Sequence, residues 1–185
     1  MGASRRALLV AGGVWALGAL EAHARVTVPE EVIAALPGAR LQGTARLRFM
    51  GLHVYEARLW SGPSSVTEDW ADAPLALEIE YARKLKGSAI AERSLAEMRR
   101  QGEIDAVTGQ RWLATMEQLF PDVRQGDRLT AVNRPGVGLA LFANGQARGA
   151  VDEPAFARRF FGIWLAHQTS EPALRSALLG RRETP

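Results

Sequence analysis

The sequence predicts an α+β domain, one antiparallel sheet with helices packed on one face. Three observations predict it. Apolar and polar residues alternate with period two between positions 41 and 81. A helical period replaces that alternation from 88 to 120. Strand patterning then returns from 128 to 151 and gives way to a second helical stretch after 154. Strands followed by helices, twice in one short chain, argue for α+β rather than for alternating βα units.

The elements follow in order. Leu41, Gly43, Ala45, Leu47 and Phe49 alternate with Gln42, Thr44, Arg46 and Arg48. Met50-Gly51 turns the chain, and His53, Tyr55, Ala57 and Leu59 alternate with Val54, Glu56, Arg58 and Trp60. After the Ser61–Ser65 loop, Leu75, Leu77, Ile79 and Tyr81 form the apolar side of a third strand. Such strands bury one face and solvate the other. Ser88 is the expected N-cap of a helix with Ile90, Ala91, Leu95 and Met98 on one side, ended by Gly102. A second helix runs from Asp105 to Phe120 and stops at Pro121. Strands at 128–133 and 138–143 meet at a Gly136–Gly138 turn, and Asn144-Gly145 signals a two-residue hairpin into a strand ending near Val151. Asp152 is the expected cap of an aromatic core helix with Pro154 in its first turn, and Ser170 that of a last helix stopped by Gly180.

The amino terminus reads differently. Arg5-Arg6, the apolar run Ala7–Leu20 and Ala22-His23-Ala24 make the basic, apolar and small-x-small parts of a secretory signal. Residues 1–24 are expected to be removed, leaving 25–185 as one domain, periplasmic or secreted and without a stable membrane span. An uncleaved anchor is the competing reading. The paired arginines also fit a twin-arginine signal as an alternative to the general export route.

Composition excludes several chemistries. The net charge is +3 with basic and acidic residues interspersed, so the concentrated basic face that nucleic acid requires is not expected. There is no cysteine, hence neither disulfides nor thiol chemistry. The histidines His23, His53 and His167 are far apart, no metal-ligand spacing occurs, and no cofactor motif is present.

Several segments together resemble the chalcone isomerase-like family. They are Leu41–Arg46, Gly51–Trp60, Tyr81–Gly87, Phe120–Asp127, Phe160–Leu165 and Leu178–Gly180, in order and spanning most of the chain. The resemblance implies an open-faced β-sandwich, a large antiparallel sheet with helices layered on one face. It also implies a site. The family's ring-closing reaction uses an arginine, which falls on Arg46. Its second-strand threonine falls on Glu56, its helix tyrosine on Ile90, its asparagine on Glu97, and its late Thr/Ser near Gly162. Shifting the second strand by one brings in Tyr55 instead. Four of the five polar positions thus lack the family's group. Losing one oxyanion donor costs ~100–1000-fold in rate, so catalysis is not expected to survive.

What the resemblance leaves is Arg46, and some members of this fold bind fatty acids through the equivalent arginine. A guanidinium fork suits a carboxylate. The expected function is binding of a small amphipathic ligand, such as a fatty acid, with no cofactor and no metal. A solvent-facing ion pair between Arg46 and Glu56 is the competing reading. An intramolecular lyase or isomerase should instead show Arg46, Tyr55 and further donors converging in a cleft. A partner-binding or structural protein should show a filled interior and an exposed apolar patch. Lesser candidates are His53 as a hydrogen-bonded core residue, His167 as a helix C-cap, Trp60 and Trp70 at a ligand entrance, and Glu97 in surface pairs with Arg93 and Arg100.

Overall fold

A computed structural model describes residues 26–181. The signal segment expected at 1–24 and its expected cleavage point lie outside the described residues. Six strands, β1 (Arg40–Phe49), β2 (Leu52–Ser61), β3 (Leu75–Tyr81), β4 (Arg128–Arg134), β5 (Gly138–Ala143) and β6 (Gln146–Val151), form one sheet in sequence order. Every neighbouring pair is antiparallel. The helices are α1 (Glu30–Ala35), α2 (Gly87–Arg100), α3 (Ala106–Leu119), α4 (Pro154–Leu165) and α5 (Pro172–Leu178).

The alternation read from the sequence places the faces. Ala45, Ala57, Leu59, Leu77 and Ile79 share one core with Met98, Met116, Phe161 and Leu178 of the four later helices. The other face carries Arg46, Glu56, Arg58, Glu78 and Glu80, which pair across β1, β2 and β3. Part of that face is covered by α1, where Val32 and the C-cap residue Leu36 pack on Trp60, Ala76 and Val132. Buried Glu31 accepts the Thr130 hydroxyl at 2.9 Å beneath α1. Six residues are too few for a periodic signal, so α1 was not legible in the sequence.

Two hairpins turn through residue pairs with positive φ, Met50-Gly51 at 48° and 80° and Asn144-Gly145 at 50° and 83°. This is the geometry that matches strand twist in two-residue loops. Asn144 suits it, since its Oδ1 accepts the Arg128 N–H at 2.8 Å.

Three expected caps are corrected. The first turn of α2 begins at Gly87, before Ser88, and is capped from afar: Asp122 Oδ1 accepts the Gly87 N–H at 3.0 Å, and Asp122 Oδ2 the Lys86 ammonium at 2.7 Å. Asp152 does not cap α4, because it is turned to Arg134, and Glu153 is the flanking residue. Ser170 lies too early for α5, which starts at Pro172 after Glu171. By contrast Asp105 caps α3, accepting the Thr108 N–H at 3.0 Å.

Glu153 joins α3 to α4. Both its oxygens receive the Arg111 fork, at 2.5 and 3.1 Å, and Oε1 also accepts the Trp112 indole N–H at 3.1 Å. The Arg111 bond holds the carboxyl below its ordinary range, against the opposing pull of partial burial. A lowered folded value means that the stabilisation is present above the unfolded value, about 4.3. It is lost as pH falls through the folded one. Glu153→Gln is therefore expected to melt below the wild type at pH 7, with the difference closing below about pH 4. Melting temperature against pH for the two proteins checks this.

Candidate functional site

The strand pattern leaves a hollow between the sheet and the later helices. Its volume is about 360 Å³, within the range of small-molecule sites. Leu47, Leu77, Ile79, Ala131 and Leu141 form the sheet wall, and Ile90, Phe160 and Ile163 face them from α2 and α4. The solvent-exposed lining residues Phe49, Arg83, Ala89, Arg93 and Glu171 mark the mouth. It opens between the β1–β2 hairpin tip and the start of α2.

Few polar groups reach the lining. Tyr55 sits on the core face of β2, opposite Leu47. Its hydroxyl oxygen accepts the Trp164 indole N–H at 2.9 Å, which leaves its own O–H as a donor. Burial, outweighing that hydrogen bond, pushes the Tyr55 phenol up to about 12. Tyr81 stands edge-on to it with ring centres 6.2 Å apart, and burial likewise raises its phenol. Both rings are neutral at any ordinary pH, so Tyr55 can donate a hydrogen bond and is a poor base.

Charge gathers at the mouth. Arg83 has no ion pair among the described residues, whereas Arg93 reaches Glu97 Oε1 at 2.6 Å. Arg100 approaches Glu97 Oε2 at 3.5 Å. The Glu97 carboxylate is buried and lines the hollow, which corrects the expectation of simple helix-surface pairing. Only its two arginine partners are at the surface.

The structure separates the residues that the resemblance grouped. Tyr55, Ile90 and Glu97 line the hollow, Ile90 and Glu97 about two turns apart on α2 and Tyr55 on β2. Arg46 and Glu56 do not. They face away from it on the outer side of the sheet, 3.4 Å apart, with 52% of the Arg46 side chain exposed. Glu56 also pairs with Arg58 at 2.8 Å. Gly162 serves helix packing, since a Cβ there would lie 2.0 Å from the Gln101 side-chain oxygen. Gln101 in turn donates to the Arg159 carbonyl at 2.7 Å.

The lesser candidates also move. The buried Nε2 of His53 finds no hydrogen-bond partner among the described residues. His167 pairs with Glu68 at 2.9 Å beside Arg175 and Arg181, and caps no helix. Trp60 lies under α1 on the far face, its indole N–H donated to Glu78, and Trp70 lines a separate depression with His167. Sequence reasoning missed Arg83, and it read Arg93 only as a helix-surface residue. The available signal was the step from Tyr81 on the core face to Arg83 two residues on. No group of three or more metal-ligating side chains occurs among the described residues.

An antiparallel sheet closed by helices over an apolar hollow, with Arg83 and Arg93 at its mouth, defines an α+β protein. The chain belongs to the chalcone isomerase-like family, whose model matches residues 21–180. It is similar to an uncharacterized protein of Haemophilus influenzae, 29% identical over 142 residues, covering 77% of this chain and 68% of that protein. Among solved structures it is similar to a fatty-acid binding protein of Arabidopsis thaliana. The TM-score is 0.60 at 14% identity, covering 79% of this chain and 90% of that chain. At that identity the likeness shows a shared fold.

Proposed function

We propose that this chain is an exported protein that binds a small amphipathic carboxylate, such as a fatty acid, without converting it. The observation that carries the reading is the apolar hollow of about 360 Å³ opening beside Arg83 and Arg93. The aliphatic part packs among Leu77, Ile79, Leu141 and Phe160. The carboxylate meets Arg83 and Arg93 at the mouth, with the Tyr55 hydroxyl as a neutral donor further in. The guanidinium role expected of Arg46 passes to these residues, because Arg46 faces the other side of the sheet. The name of the Arabidopsis structure supports the ligand class. The basic, apolar and small-x-small order of residues 1–24 supports export. Absence of catalysis is supported by Ile90, which offers no hydroxyl where the family resemblance expects one.

Lipid extraction and mass spectrometry of purified protein, followed by titration with a fluorescent fatty acid, test the reading. Wild type is expected to carry and rebind a carboxylate lipid. Ala131→Phe, which fills the floor of the hollow, should weaken binding at least tenfold. Arg83→Ala should weaken it by about tenfold to 100-fold, since a hydrogen bond to a charged group contributes about 1.5–3 kcal/mol. Arg46→Ala should bind as wild type. Failure of wild type to bind any fatty acid, or equal loss in Arg46→Ala and Arg83→Ala, would overturn the assignment. One observation favours a second reading, an intramolecular isomerase: the free Tyr55 O–H inside the hollow. Cyclisation of a hydroxylated chalcone, lost in Tyr55→Phe, would establish it.

A further inference from the structure

The β1–β2 hairpin carries large apolar side chains where its fold calls for none. Phe49, Met50 and Leu52 are 64, 86 and 55% exposed at its tip. Met50 occupies left-handed backbone at φ 48°, a conformation that disfavours residues with a side chain other than Asn or Asp. The β5–β6 hairpin adopts nearly the same pair of φ angles with Asn144-Gly145, the favoured residues for that turn. Folding alone is better served by Asn at position 50 as well. The turn alone does not account for Met50.

The surroundings of the tip are basic. Arg48 is exposed and donates to the Gly51 carbonyl at 3.3 Å, which keeps its guanidinium at the turn. The Ala82 N–H is donated to the Val54 carbonyl at 2.9 Å and lays the segment after β3 alongside the hairpin. Arg83 and Lys84, next in that segment, are exposed. Among the described residues neither they nor Arg48 forms an ion pair. The tip also borders the mouth of the hollow, since Phe49 and Arg83 both line it.

We propose that this tip is a docking surface for an anionic lipid bilayer. Phe49, Met50 and Leu52 enter the interfacial region of one leaflet, and Arg48, Arg83 and Lys84 meet its headgroups. An apolar projection ringed by unpaired cations is the charge pattern that a negatively charged leaflet complements. A protein partner would have to present that same mixture. Docked this way, the mouth of the hollow faces the leaflet. No helix of the described residues is long and apolar enough to cross a membrane, so the contact is peripheral.

Co-sedimentation with vesicles tests the proposal, comparing phosphatidylglycerol–phosphatidylcholine mixtures with phosphatidylcholine alone. Wild type is expected to bind the anionic vesicles at least tenfold more tightly, with affinity falling as salt rises. Met50→Asn with Leu52→Ser should lose at least tenfold in vesicle binding. Met50→Asn alone should melt no lower than wild type, because it restores the favoured turn residue. Arg48→Ser with Lys84→Ser should lose about 30-fold, from roughly 1 kcal/mol for each basic residue at an anionic surface. None of these four residues lines the hollow, so fatty-acid binding in free solution should be unchanged, and the two readings fail separately. No binding of wild type to anionic vesicles would overturn the proposal. So would binding that the tip variants leave intact, or a dimer in solution that Met50→Asn dissociates, which would make a second copy the occupant.

Discussion

Glu78→Ala is expected to lower the free energy of unfolding by about 3 kcal/mol, the loss typical of removing one partner from a buried ion pair. Glu78 is only 2% exposed, at the centre of the outer face. It accepts the Trp60 indole N–H at 2.9 Å, Arg58 Nη1 at 3.1 Å and Arg128 Nη1 at 3.3 Å. Arg58 keeps Glu56 and Glu80 as partners after the change. The damage falls on Trp60, whose buried N–H has no other acceptor among the described residues, and on Arg128. Glu78→Gln retains an oxygen for Trp60 and should lose only about 1–2 kcal/mol. Urea denaturation of the three proteins measures both values. Equal losses in the two variants would mean that charge, and not the indole bond, holds the network.

Gly43→Val should cost at least about 3 kcal/mol, the upper end of overpacking penalties. A Cβ at Gly43 would lie 2.2 Å from the Ala177 carbonyl oxygen and 2.3 Å from that of Leu178. Those are backbone atoms, so the strain is relieved only by moving α5 off β1. Moving it withdraws Leu174 and Leu178 from the core. Gly43→Ala should be nearly as damaging, since the first added carbon makes the clash. Thermal melting together with limited proteolysis checks this: both variants should acquire cleavage between residues 172 and 181 that the wild type resists.

Gly43 also shows how the sequence could be read and where it fell short. Its place in the period-two pattern put it on the buried face of β1, and the structure agrees: it pairs with Leu59 on the core side. Alternation of that kind depends only on the pleat, so all six strands and the Met50, Gly136 and Asn144 turns were legible. What approaches a strand from elsewhere leaves no local mark. The carbonyls of α5 over Gly43 and the Asp122 cap on Gly87 come from more than 30 residues away. The site was legible in part for a different reason. The family resemblance carried Ile90 and Glu97 into the candidate set, and both line the hollow, although helical spacing had set Glu97 apart from the apolar side of α2. The arginine was carried over by resemblance to Arg46, and in a strand one position decides the face. Leu47, the next residue, is the one that points inward. Pairing of Glu97 with Arg93 and Arg100 suggested a solvated helix face, because spacing reveals who can meet and not how deeply they sit.

The small amino-terminal helix has a consequence for how the chain is made. Glu31 and Thr130, joined beneath it, are 99 residues apart. The segment synthesised early is thus among the last to find its place, since β4 must exist before α1 can settle on the outer face. Until then Trp60, Ala76 and Val132 lack their cover, and an apolar patch lies bare on the outer face.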